Sequence, residues 1–114
     1  MLCNPHNPLG RCYPKDTIVA LMKFCQHHKI HLLCDEIYAI SVYDTPEDPA
    51  AVKFTSVLSF DSLPYISTDY LHVIYGMSKD EAAGGLRLGC LYTQNTELMD
   101  AMSAISPFHV RAAF

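Results

Sequence analysis

No stretch of this sequence approaches the eighteen or so consecutive apolar residues that a membrane span requires. No surplus of lysine or arginine offers a basic patch to nucleic acid either, since the formal net charge is −4. Neither a membrane nor a nucleic acid is therefore expected as a partner. The first residues, Met1-Leu2-Cys3-Asn4-Pro5, have neither the charged start nor the apolar stretch of a secretory leader, so an intracellular, cytoplasmic protein is expected. The 5 cysteines, at positions 3, 12, 25, 34 and 90, show no Cys-x-x-Cys spacing and are odd in number. Neither a disulfide framework nor a zinc ribbon is suggested, and reduced thiols are the default. Charged residues make up only 18% of the chain and hydrophobic ones 50%, a balance that suits a folded interior and argues against disorder. The 114 residues suffice for one small domain with a modest core, and they contain no internal repeat or low-complexity segment.

One cluster rich in potential metal ligands, Cys25, His27, His28, His31 and Cys34, needs a decision. It runs from an expected helix into an expected strand, where side chains diverge, so no metal centre is expected. His27 and His28 with Lys29 fit a helix C-terminus, where partial positive charge is favoured.

Hydropathy patterning gives alternating elements. Residues 14–28 open with Pro14 and carry apolar residues at Ile18, Leu21, Met22 and Cys25, the i, i+3, i+4, i+7 spacing of a one-sided helix. Residues 30–34, "IHLLC", form a short apolar run that ends on Asp35 and Glu36, as a buried parallel strand does on leaving a sheet. The stretch 44–53 has two prolines and mixed charge and reads as a loop, while 54–60 fits either a short strand or a turn of helix. "LHVIYGM" at 71–77 and "LRLGCLYT" at 86–93 read as strands, and 95–105 as a helix. This order is that of an α/β protein with a mostly parallel sheet. Asp35 and Lys79 each fall just after the C-terminal end of an expected strand, the edge at which open α/β sheets bind ligands.

Three stretches contain the candidate site residues: "NPHNPLG" at 4–10, "DEIYA" at 35–39 and "YGMSKDEAAGGLRLG" at 75–89. Taken singly, each has a plain reading: a rigid turn with a capacity for cis peptides, a strand-end cap beside a packed aromatic, and a loop with solvated charges. Together they supply complementary chemistry for one ligand. A lysine amine can form a Schiff base with an aldehyde, a carboxylate can hold a protonated pyridine nitrogen, and an arginine can take a phosphate bidentately. Pyridoxal phosphate presents all three groups. Asn7 and Tyr38 would then donate hydrogen bonds to the phenolate oxygen of its ring.

In these three motifs, in this order and at these separations, the sequence resembles the class I/II aminotransferases of pyridoxal-phosphate fold type I, and in particular their aminocyclopropane-carboxylate-synthase-like branch. The resemblance runs over essentially the whole chain. It implies a three-layer α/β/α domain with a mostly parallel sheet, and Lys79 as the Schiff-base lysine that also shuttles the proton. It further implies Asp35 paired with the pyridine nitrogen, Asn7 and Tyr38 at the ring oxygen, and Ser78 and Arg87 at the phosphate. Relatives often place a phosphate-binding serine three residues before the lysine, where this chain has Gly76, and a bulky apolar or aromatic residue where it has Glu81.

Family members are roughly three to four times longer. The resemblance therefore implies that residues 1–114 represent a fragment of the large cofactor-binding domain, without the preceding part or the C-terminal small domain. The closing "SPFHVRAAF", with Phe108, Val110 and Phe114, reads as an apolar tail that continues into packed structure. Two functions stay open. One is amino-group transfer between an amino acid and a 2-oxo acid, or a related synthase or lyase reaction, in a protein whose full-length relatives are homodimers. The other is a catalytically silent remnant or cofactor-binding module.

Overall fold

Pro14 opens the first helix. Its carbonyl accepts the amides of Thr17 and Ile18, and its missing N–H is no loss at a position where helices leave amides unpaired. In the computed structural model, which describes residues 1–44 and 46–105, this helix, α1, spans Lys15–His28. Asp16 in its first turn and His27 and His28 in its last complement the helix dipole. Lys29 then adopts a left-handed conformation (φ 54°) and its amide returns to the Cys25 and Gln26 carbonyls, while the Ile30 amide also bonds Cys25. That capping turn explains why the next strand starts at Leu32 and not at Ile30.

Four strands form one sheet in the order β1 (Leu2–Cys3), β2 (Leu32–Asp35), β3 (Leu71–Gly76) and β4 (Gly89–Thr93). β1, β2 and β3 are parallel, with Cys3 beside Asp35 and Asp35 beside Ile74. β4 runs antiparallel to β3. The segment 77–88 turns back without a crossover helix, and a parallel partner would need one. The strand expected over 86–93 starts three residues late because Gly84–Leu86 form a single 3-10 turn and Arg87 is left-handed at φ 53°. Gly76 and Gly89 face each other where β3 and β4 part. A Cβ at Gly76 would sit 3.3 Å from the Leu88 carbonyl oxygen, and one at Gly89 3.3 Å from that of Tyr75, so a side chain at either position would be tightly packed against the facing backbone.

The core lies between α1 and one face of the sheet. Ile18, Met22 and Cys25 of α1 pack with Leu32 and Cys34 of β2, Leu71 and Val73 of β3, and Val57 and Ile66 from the connection. The connection is irregular over 54–60, neither strand nor helix, and ends in a 3-10 turn at Thr68–Tyr70. The described part of 44–53 is a loop, as expected, with an exposed Lys53–Asp44 ion pair. The last helix, α2 (Thr96–Ile105), is capped by Asn95, whose side-chain oxygen accepts the Leu98 amide at 2.8 Å. The apolar tail with Phe108, Val110 and Phe114 lies outside the described residues. Among the described residues, no helix is long and apolar enough to cross a membrane.

Candidate active site

Parallel strands release their loops at one edge, and the three motifs leave the sheet there, after β1, β2 and β3 in turn. The first loop is fastened by Asn4, which is buried. Its amide bonds the Asp35 carbonyl at 2.9 Å, its side-chain oxygen accepts the Tyr13 amide at 3.0 Å, and its Nδ2 reaches the Thr55 carbonyl at 3.5 Å. Both Asn-Pro bonds of this loop, Asn4-Pro5 and Asn7-Pro8, are cis, and Gly10 supplies the positive φ that lets the chain fold back so that His6 bridges Arg11. Asn7, at the tip, donates from Nδ2 to the Tyr38 hydroxyl at 3.1 Å. Two of the expected site residues are thereby in direct contact.

The second loop begins at Asp35, half-buried, whose Oδ1 accepts the Ile37 amide at 3.2 Å and tightens the turn that presents Tyr38. Its neighbour Glu36 is buried, and its Oε1 accepts the Val57 amide at 2.9 Å. Burial pushes the Glu36 carboxyl above its ordinary range, and the Val57 amide and Ser56 hydroxyl offset part of that shift. Burial, helped by the charge on Glu36, likewise pushes the Cys34 thiol up to about 12, so that it packs as a neutral hydrophobe.

The third loop holds Ser78, half-buried, and Lys79, exposed. Arg87 is exposed and donates one of its N–H groups to the Gly84 carbonyl at 3.1 Å, which leaves the rest of its fork available. Glu81 is exposed, so its charge stays at the surface. A serine at Gly76 would bring its Cβ to 3.3 Å from the Leu88 carbonyl oxygen, a tight contact that the facing strand would have to yield to by a few tenths of an ångström. Asp80 joins the third loop to the second through the Ile40 amide and the Ser41 hydroxyl. A groove of about 830 Å³ is lined by the first loop, Tyr38 and the chain beyond Ser41. It contains Asn7 and Tyr38, whereas Asp35, Ser78, Lys79 and Arg87 lie outside it.

Asn4, Glu36 and Asp80 are thus structural partners of the site that the motifs alone did not single out. Their signal in the sequence is only adjacency, since each stands within one to three residues of an expected site residue. Glu36 gives a test. A carboxyl with a raised folded pKa contributes most stability below its unfolded pKa and loses that contribution as pH rises through the folded value. Glu36→Gln keeps an acceptor for the Val57 amide without the charge. The variant is therefore expected to gain stability relative to the parent as pH rises from about 4, the ordinary Glu value, into the neutral range. Thermal melts across that range measure it, and a difference that does not change with pH would show that Glu36 titrates normally.

A model of the family described as "Aminotransferase class I and II" matches residues 1–112. The "Probable aminotransferase sirI" of Leptosphaeria maculans is 44% identical over 100 residues, covering 87% of this chain and 24% of its own length. The human "Probable inactive 1-aminocyclopropane-1-carboxylate synthase-like protein 2" is 40% identical over 109 residues, covering 96% of this chain and 18% of its own. The crystal structure of aspartate aminotransferase from Thermotoga maritima superposes with a TM-score of 0.75 at 25% identity, over 95% of this chain and 26% of that one. The chain thus spans about a fifth to a quarter of the length of the curated relatives it matches. Three loops at one sheet edge, the ordered motifs and the match over nearly every residue lead to one conclusion: the chain belongs to the class I and II aminotransferases, in their aminocyclopropane-carboxylate-synthase-like branch, and has the α/β architecture of fold type I.

Proposed function

We propose that this chain forms part of the cofactor-holding domain of a pyridoxal-phosphate-dependent aminotransferase, or of a related synthase or lyase, that acts on amino acids and 2-oxo acids. The observation that carries the reading is the convergence of the three motif loops at the C-terminal edge of β1, β2 and β3, with Asn7 bonded to Tyr38 at 3.1 Å. The donor set fits the cofactor group by group. Lys79 would hold it through the side-chain amine, Asp35 would face the pyridine nitrogen, Asn7 and Tyr38 the ring oxygen, and Ser78 and Arg87 the phosphate. When bound, the cofactor supplies an electron sink for negative charge developing at the substrate α-carbon. Asp35 would favour that sink by keeping a positive charge beside its carboxylate, and the Lys79 amine would take and return the α-proton.

A second reading, a module without turnover of its own, is favoured by one observation. Lys79 is exposed and lies outside the groove that contains Asn7 and Tyr38. The two readings meet in one expectation: the 114-residue chain holds the cofactor but shows little turnover alone, and catalysis belongs to a longer homodimeric protein.

Reductive labelling tests this directly. The chain is incubated with pyridoxal phosphate, reduced with borohydride and mapped by peptide mass spectrometry. Selective modification of Lys79 is expected. Among the competing lysines, Lys15 lies over the Phe60 ring, Lys23 over the Tyr65 ring, and Lys53 pairs with Asp44. Modification scattered over Lys15, Lys23, Lys29, Lys53 and Lys79 would overturn the reading.

A further inference from the structure

We propose that Asp80 is the positioning residue of this site: its carboxylate ties the loop carrying Tyr38 to the loop carrying Lys79 and so fixes the point from which the lysine side chain departs. The inference rests on the reading of Lys79 as the cofactor lysine and extends it to a residue outside the expected donor set.

Asp80 follows Lys79 directly, so any restraint on its side chain acts one peptide unit from the lysine Cα. Its Oδ2 accepts the Ile40 amide at 3.0 Å and the Tyr75 hydroxyl at 3.2 Å, and its Oδ1 accepts the Ser41 hydroxyl. Tyr75 belongs to β3, whereas Ile40 and Ser41 lie in the loop after β2, so the carboxylate spans two segments that are some forty residues apart in the chain. The connection continues, because the Ser41 amide bonds the Tyr38 carbonyl at 3.0 Å and Asn7 bonds the Tyr38 hydroxyl. One unbroken path of hydrogen bonds and short chain segments thus runs from Asn7 through Tyr38, Ser41 and Asp80 to Tyr75, and touches all three motif loops.

The chemistry of the group suits this role. A carboxylate offers about four lone-pair sites and can accept several donors at once, which neither a hydroxyl nor an amide matches. Burial alone would raise the Asp80 carboxyl, but the Ser41 hydroxyl, Ile40 amide and Tyr75 hydroxyl together hold it below its usual range. It therefore stays ionised, and its bonds charge-assisted, throughout the neutral range. Tyr75 responds in the opposite sense: its hydroxyl is raised first by burial and then by the bond to Asp80. A residue that only closed its own turn would bond to its immediate neighbours, and these partners lie elsewhere.

The test compares the parent chain with Asp80→Ala, Asp80→Asn and Ser41→Ala in the labelling experiment above, with thermal melts and backbone amide exchange measured in parallel. Asp80→Ala removes three bonds to the carboxylate and is expected to slow modification of Lys79 by about tenfold or more, since the loss of even one charge-assisted bond corresponds to roughly that factor. Modification of Lys15 and Lys53 should not change. Asp80→Asn, which keeps one acceptor oxygen, should restore part of the rate, and Ser41→Ala should add little once Asp80 is alanine. Independently of any cofactor, the Ile40 amide should exchange faster in Asp80→Ala, while the Val57 amide, held by Glu36, should not. If Asp80→Ala does not fold, Asp80→Asn and Ser41→Ala still give the ordering. Parent-like modification of Lys79 in folded Asp80→Ala would overturn the positioning role. Scattered labelling of the parent chain would overturn the cofactor reading, and the positioning role with it.

Discussion

Replacing Asp35 by asparagine is expected to weaken capture of pyridoxal phosphate at Lys79 by about 10–150-fold, the range set by losing one charge-assisted hydrogen bond of roughly 1.5–3 kcal/mol. The substitution separates charge from structure. Asparagine keeps an oxygen for the Ile37 amide, so the turn that presents Tyr38 survives, and what is lost is the negative charge proposed to face the pyridine nitrogen. The measurement is the pyridoxal phosphate concentration at half-saturation of Lys79 labelling, with the Ile37 amide followed by exchange as a check on the turn. Equal half-saturation in both chains would remove Asp35 from the cofactor site and leave it as a strand-end cap.

Met22→Ala should lower the free energy of unfolding by about 2–5 kcal/mol. Met22 is fully buried at the centre of α1, between Ile18 and Cys25, against the core face of the sheet. Alanine is the better helix former, so helix propensity does not add to the loss, which is that of buried apolar contacts and the cavity left behind. Phe24, two residues further along the same helix, turned away from the core and 54% exposed, provides the contrast: its change to alanine should cost well under the Met22 effect. Urea unfolding of both variants decides it, and similar midpoints would mean that α1 is not docked as described. Since domains of this size are stable by only about 5–15 kcal/mol, the Met22 loss is a large share of the total.

These two residues differ in how readily the sequence reveals them. Met22 is legible because helical spacing places Ile18, Met22 and Cys25 on one stripe, with Pro14 ahead of it and two histidines behind. The apolar runs of β2 and β3 are legible for a similar reason, since parallel strands buried by their neighbours read as unbroken hydrophobic stretches. The start of β4 is not. "LRLGCLYT" alternates well enough to pass as one strand, but the left-handed turn at Arg87 breaks it, and nothing in the local pattern marks that turn. Its antiparallel direction depends on a connection too short for a crossover, which hydropathy alone does not show. At the site, the motifs bring Asn7, Asp35, Tyr38, Ser78, Lys79 and Arg87 into consideration, and the fold places their loops at one edge. Asn4, Glu36 and Asp80 escape that reading because each takes its meaning from a partner far along the chain: Thr55, Val57 and Ile40 respectively. A single sequence does not display such pairings.

The segment that bears Lys79 is anchored at both feet, by Gly76 at the end of β3 and by Gly89 at the start of β4, which face each other across the ladder. The chain entropy lost in closing such a loop grows only slowly with its length and is incurred when the two strands pair, before any ligand arrives. A lysine on an unanchored tail would have to surrender backbone freedom, on the order of 1–2 kcal/mol per residue fixed, at the moment of capture. Here the strand ladder, and the turn in which the Ala82 and Ala83 amides bond the Lys79 and Met77 carbonyls, restrict the backbone around Lys79 on folding, so a ligand captured by that lysine, as proposed, would bear a smaller ordering penalty.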